Sequence, residues 1–288
     1  MKYNFKSPAK INLYLKILGV DPVSGLHFLE TLMSPIDLFD EIFVELSEEF
    51  CVETKGIEEN ILTRNNIIFK IYKCVEKHIG KPLPSFKVTV NKNIPAGAGL
   101  GGGSSNGASF LLFLDSYCNL GLNKRQLVEI AAEVGSDIPF FLFRSPAMVT
   151  GTGNIVTPLK LPETDKHLLL VYPGIGVNTK LAYSLYDKKN LTNHRCMDIN
   201  PVRKSGFCSL KNWTSQIVND FEEVVFEHWT EINQIKLSLE TAGADKVFMS
   251  GSGSTLIALF DDEKKINIIE KSFLSKQVLI KRIKLLTG

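Results

Sequence analysis

The chain has 288 residues, of which 44% are apolar, 22% charged and 9% aromatic, enough to bury one large core or two modest ones. A formal charge of +2, with Lys and Arg scattered, gives no basic face for nucleic acid and no pull toward an anionic membrane. Apolar runs such as residues 110–114 stop at an acid within a few positions, far short of the ~20 residues that a membrane span needs.

The first ten residues are polar and lack the apolar stretch of a secretory signal. Cys51, Cys74, Cys118, Cys196 and Cys208 are odd in number and form no C-x-x-C, and the histidines form no H-x-x-x-H. Free thiols in a reducing, cytoplasmic compartment are expected, with no zinc site.

Ile11, Leu13, Leu15 and Ile17 alternate with polar residues, which predicts a half-buried strand and places Lys10, Asn12 and Tyr14 on its other face. Two strand-like runs follow at 28–38 and 41–46, then a helix over 65–78 and a strand carrying Phe86, Val88 and Val90. After the glycine-rich loop comes a helix over 104–119, apolar enough all round to be buried. Asn123 and Gln126 are spaced as a capping box for a helix ending near Gly135, and Ser136 stands where it would cap a short helix with Asp137 in its first turn and Pro139 behind it. Strands at 147–150 and 168–172, a helix over 179–188 and a polar stretch over 189–209 come next. A helix over 231–241 leads to strands at 246–249 and 255–260, joined by Gly251-Ser252-Gly253. The basic run Lys281-Arg282-Ile283-Lys284 reads as a solvated strand face. Strands and helices out of strict βαβ order argue for an α+β protein in two lobes, with a boundary in the region 145–175.

Chemistry concentrates in Pro95-Ala96-Gly97-Ala98-Gly99-Leu100-Gly101-Gly102-Gly103-Ser104-Ser105. Glycines admit a ligand close to backbone N–H groups, and a helix starting just after adds unpaired donors and a positive dipole end, which together suit phosphate. A glycine-rich turn with no ligand accounts for the G-x-G-x-x-G at Gly97, Gly99 and Gly102 equally well. A P-loop is excluded, because Gly103 stands where the lysine would be. A Rossmann unit is excluded too, because the helix is followed by another helix and not by a strand. Taken singly, Asp137 reads as an acid at a helix start, Lys10 as a solvated edge charge and His27 as a structural histidine.

Together, Pro8-Ala9-Lys10-Ile11-Asn12-Leu13, the loop Pro95 to Ser105, Gly135-Ser136-Asp137 and Gly251-Ser252-Gly253 resemble the three signature regions of the GHMP kinase superfamily, over nearly the whole chain. The resemblance implies a two-lobed α+β fold. Residues 1–155 would form an N-terminal lobe like the second domain of ribosomal S5, and 156–288 a ferredoxin-like C-terminal lobe. It implies an ATP-dependent kinase using Mg²⁺, and, from the form of the motifs, transfer of the γ-phosphoryl to the tertiary 2-hydroxyl of a cytidine-diphosphate-linked methylerythritol in isoprenoid precursor synthesis. Other members act on mevalonate, homoserine or sugars, and a non-catalytic nucleotide-binding protein on the same fold is the reading from another class. The resemblance further implies Lys10 and Asp137 as the catalytic pair. Asn66, Ile67 and Lys92 join the loop around ATP. Asn12, His27, Tyr183, Thr179, Gly251 and Ser252 line the acceptor substrate, and Ser104 or Ser105 offers an oxygen to the metal. A monomer or homodimer is expected. The family pattern D-G-Y-H departs here to Ser24-Gly25-Leu26-His27, which removes one aromatic ring from the nucleobase side.

Overall fold

Two long antiparallel strands, β1 (Lys2–Val20) and β2 (His27–Leu46), run beside each other along almost their whole lengths. The structure is a computed structural model that describes residues 2–57, 63–192, 210–273 and 278–286. The runs expected at 28–38 and 41–46 are one strand, and its second edge explains why the pattern looks broken. Residues 29–33 pair with β5 (Ala147–Gly151), whereas 41–46 pair with β4 (Phe86–Lys92). Between these two partners sits Asp40, a carboxylate inside a strand and fully buried. β3 (Cys51–Gly56), parallel to β4, and β6 (Ile155–Pro158), antiparallel to β5, complete a six-stranded sheet of order β3-β4-β2-β5-β6 with β1 on β2.

Four helices share one core with this sheet: α1 (Ile67–Ile79), α2 (Gly102–Tyr117), α3 (Lys124–Val134) and the single turn α4 (Ile138–Phe141). Asn66 caps α1 by accepting from the Ile68 N–H, and Gly80 ends it in the left-handed region. The capping box of Asn123 and Gln126 is present in full at α3. The largely apolar α2 is buried, with Phe110, Leu111 and Leu114 completely covered. It starts at Gly102, two residues before Ser104, so the last glycines of the loop are its first turn. Ser136 does not cap α4. Asp137 occupies the cap position without a side-chain cap bond, which leaves its carboxylate for other partners.

The second sheet is built from β7 (His167–Tyr172), β8 (Lys246–Met249), β9 (Leu256–Phe260) and β10 (Leu279–Ile283), all antiparallel, in the order β10-β7-β9-β8. Helices α5 (Thr179–Thr192), α6 (Glu222–His228) and α7 (Thr230–Thr241) connect β7 to β8, and α8 (Glu263–Phe273) connects β9 to β10. This is the ferredoxin-like order that the resemblance implies. The chain passes from the first sheet to the second between Pro158 and His167, so β6, which a division after residue 155 assigns to the second lobe, pairs in the first. Most of the polar stretch 189–209 lies outside the described residues.

Both faces of the second sheet are covered at β7, β8 and β9, which read as nearly unbroken apolar runs, whereas the edge strand β10 leaves Lys281 and Arg282 exposed. Leu169, Val171, Ala258 and Phe260 pack with Phe221, Val225, Ile232 and Ile269 of the helices. Leu168, Leu170, Ile257 and Leu259 pack instead with Ala9, Ile11 and Leu13 of β1 and with Ala98 and Leu100 of the glycine loop. The loop is thereby held between the lobes.

Candidate active site

The glycine loop is pinned from both sides. Gly97, Gly99 and Gly101 take positive φ values of 63°, 76° and 68°, a conformation that side chains with a Cβ resist. Four consecutive carbonyls are occupied by the scaffold: Gly97 by the Val177 N–H, Ala98 by the Thr255 N–H, Gly99 by the Ser250 hydroxyl and Leu100 by the Lys10 N–H, at 3.0–3.2 Å. The loop's acceptors are turned into the protein, and its helix begins with no side-chain cap competing for the first N–H groups. Beside it lies a cleft of about 340 Å³ lined by the loop with Asn65, Asn66, Ile67, Lys92, Ser104 and Asn106.

Lys92 is less free than its place in that lining suggests. Its ammonium donates to Asp40 at 2.6 Å, and both side chains are buried. The same carboxylate accepts from the Asn93 and Ile94 N–H groups through one oxygen and from the Asn106 amide through the other. Asp40 therefore clamps both ends of the loop to β2, and the charge of Lys92 is largely cancelled. Positive potential in the cleft comes instead from the α2 N-terminus. Asn106 Oδ1 is buried with no partner, an open acceptor beside the cradle. Of the two serines, Ser104 lines the cleft, whereas Ser105 is fully buried and accepts from the Ser7 hydroxyl at 2.7 Å.

At the other end of the loop, Lys10 and Asp137 meet with Nζ and Oδ2 at 3.9 Å. The Lys10 side chain is only 4% exposed and that of Asp137 39%, so the lysine is no solvated edge charge and the acid faces the open side. Burial pushes the Lys10 ammonium below the usual lysine range, and the Asp137 charge opposes that shift. Asn12 Oδ1 accepts from the ammonium at 2.6 Å. A Cβ added at Gly251 would lie 3.2 Å from Lys10 Nζ and 3.3 Å from Asn12 Oδ1, so the second glycine turn closes over this pair.

A third group forms a wall from both lobes. His27, at the start of β2, contacts Asp187 of α5 at 2.8 Å and stacks on the Tyr183 ring with centroids 4.2 Å apart and planes 20° from parallel. Burial raises the Tyr183 hydroxyl to about 12, with the charges of Asp137 and Asp187 adding to it, which ties this wall to the Lys10–Asp137 pair. Thr179 and Ser252 exchange a hydroxyl hydrogen bond at 2.9 Å across the same lobe. Leu26 is 55% exposed beside His27.

Sequence reasoning missed Asp40, Asn106, Thr31, Asp187 and Asn219. Asn106 follows directly on the glycine-serine motif, but Asp40, Thr31 and Asp187 sit in strands or helices whose pattern signals packing alone, and Asn219 lies in the connection before α6. Asn219 donates to the Met249 and Gly251 carbonyls and so holds the second glycine turn, an arrangement with no local signature.

The two lobes and the cradle define a small-molecule kinase, and the family models agree: GHMP kinases N terminal domain matches residues 66–145 and GHMP kinases C terminal matches 208–277. The 4-diphosphocytidyl-2-C-methyl-D-erythritol kinase of Azobacteroides pseudotrichonymphae is 37% identical over 254 residues, 88% of this chain and 91% of that one. A crystal structure of 4-(cytidine 5'-diphospho)-2C-methyl-D-erythritol kinase superposes with a TM-score of 0.74 at 25% identity, covering 98% of this chain and 99% of the other. L. major mevalonate kinase in complex with R-mevalonate superposes at 0.70 with 16% identity over 99% of this chain and 96% of its own, which is a likeness of fold alone. The chain belongs to the GHMP kinases, in the family of 4-diphosphocytidyl-2-C-methyl-D-erythritol kinases.

Proposed function

We propose that this kinase transfers the γ-phosphoryl group of ATP to the 2-hydroxyl of 4-diphosphocytidyl-2-C-methyl-D-erythritol, a step toward isoprenoid precursors. The observation that carries the reading is the buried Lys10 beside the half-exposed Asp137, placed where β1 meets the glycine cradle. Phosphoryl transfer needs positioning and charge stabilisation more than covalent chemistry. The cradle and the α2 N-terminus hold the phosphates, with Asn66, Ile67 and Lys92 lining the nucleoside side. Asp137 accepts the proton of the attacking hydroxyl, and Lys10 balances charge on the transferred group. His27 and Tyr183 offer a ring face and an edge to the cytosine, and Asn12, Thr179, Gly251 and Ser252 surround the remainder.

Among the described residues no three acidic, histidine or cysteine side chains gather as a metal site. That suits Mg²⁺, which keeps several waters and is held largely by substrate phosphates. Among the described residues, Ser104 supplies the side-chain hydroxyl that lines the cleft, and the ion would neutralise phosphate charge when bound.

The test is ADP release by purified protein with Mg-ATP and the cytidine substrate, run beside mevalonate, homoserine and galactose. Turnover with the cytidine substrate alone is expected. Turnover with another acceptor would discard the nucleobase wall, and binding of ATP without any turnover would discard the catalytic role.

A further inference from the structure

The Lys10 ammonium is aimed by a chain of hydrogen bonds that ends on a residue with no role so far. Thr31 lies on β2 and is fully buried; its hydroxyl donates to the Tyr14 carbonyl at 2.6 Å and accepts from Asn12 Nδ2 at 2.8 Å. Asn12 Oδ1 then accepts from Lys10 Nζ at 2.6 Å, and Lys10 Nζ stands 3.9 Å from Asp137. Every member from Thr31 to Lys10 is at most 3% exposed, so water does not substitute for a missing link.

The logic of the chain is one of donors and acceptors. An ammonium has only donors, so Asn12 must show it the carbonyl oxygen. An amide can present either end, and nothing in Asn12 itself chooses. Thr31 enforces the same choice from the other end: its single proton is committed to a backbone carbonyl, so toward Asn12 it has only a lone pair, and the NH₂ group must face it. The local backbone makes room for this, since β1 is irregular between Asn12 and Tyr14 where the register against β2 slips. The Asn12 N–H also bonds the Ser250 hydroxyl at 3.3 Å, which holds the residue from the second lobe.

We propose that Thr31 is a positioning residue for phosphoryl transfer, setting the orientation of the Asn12 amide and through it the aim of Lys10. The proposal rests on the catalytic assignment of Lys10 above, but the orientation of Asn12 does not. Thr31→Val keeps the shape and removes the hydroxyl, whereas Thr31→Ser keeps the hydroxyl and removes a methyl. Thr31→Val is expected to lower kcat by roughly ten- to a hundredfold, the scale of one buried donor left unsatisfied. KM for ATP should stay within about twofold, because the cradle is untouched, and Thr31→Ser should restore most of kcat. Independently of any substrate, the Asn12 side-chain amide protons, assigned in ¹⁵N-labelled protein against Asn12→Ala, are expected to resist solvent exchange in wild type and Thr31→Ser and to exchange faster in Thr31→Val. Equal exchange in wild type and Thr31→Val overturns the proposal even if the acceptor substrate proves different. A Thr31→Ser variant as slow as Thr31→Val would assign the effect to packing and overturn it as well.

Discussion

Lys10 and Asp137 show how much a side chain's surroundings decide. Taken alone, a lysine near the start of a strand is a solvated charge, yet here it is enclosed by Asn12, Gly251 and the glycine loop. If Asp137 is the proton acceptor, Asp137→Asn should lower kcat by roughly 10²–10⁴ with the melting temperature unchanged, and near-normal turnover would remove it from that role. If Lys10 acts in its charged form, burial, which holds its pKa below the usual 10.5, sets an alkaline limit on that role. The sign follows directly: as pH rises the ammonium gives up its proton sooner than a free lysine would, and activity goes with it. A kcat–pH profile should therefore show an alkaline limb centred below the ordinary lysine value. A rate that is flat through that range would contradict it.

The loop and the two turns that face it act as one element, although the chain separates them widely. A Cβ at Gly99 would stand 2.1 Å from the Ser250 carbonyl oxygen, at a φ of 76° that already disfavours any other residue. Gly99→Ala should therefore cost about 2 kcal/mol of stability or more and raise KM for ATP, as read by thermal melting and steady-state kinetics. Gly176 has no positive φ to protect and nothing within 4 Å of its added Cβ, so Gly176→Ala is the matched control, expected within about 0.5 kcal/mol of wild type. Element boundaries were legible to within a few residues where a cap or a glycine marked them, as at Asn123 and Gly135. β3 and β6 were not, because a short strand at the margin of a sheet carries little pattern of its own.

At the scale of the molecule, the site exists only because the lobes share a core. Ile11 and Leu13 of β1 pack against Leu168, Leu170 and Ile257 of the second sheet, and the Leu15 N–H and carbonyl pair with the segment at Val218 and Asp220. His27 and Asp187 close the same junction with a 2.8 Å hydrogen-bonding contact from β2 to α5. If this wall recognises the base, His27→Ala should raise KM for the cytidine substrate by about tenfold or more while leaving KM for ATP near wild type. A rise in both would point to a loosened junction and not to lost recognition.

The motifs by themselves determined the superfamily, and they singled out the glycine loop, Lys10, Asn12 and Asp137 as candidates, because each depends on a residue type at a fixed spacing along the chain. The ferredoxin-like half followed from the resemblance those motifs carry, and the order of strands and helices by itself gave only an α+β protein in two lobes. What tertiary structure alone decided is which charges are spent and which remain. Lys92 is neutralised by Asp40 across 52 positions of sequence, Ser105 is taken by Ser7, and Asn12 is oriented by Thr31. A hydrogen-bond partner brought in from a distant strand leaves no trace in local periodicity, since burial sets the pattern and a buried polar residue reads there as a mere interruption.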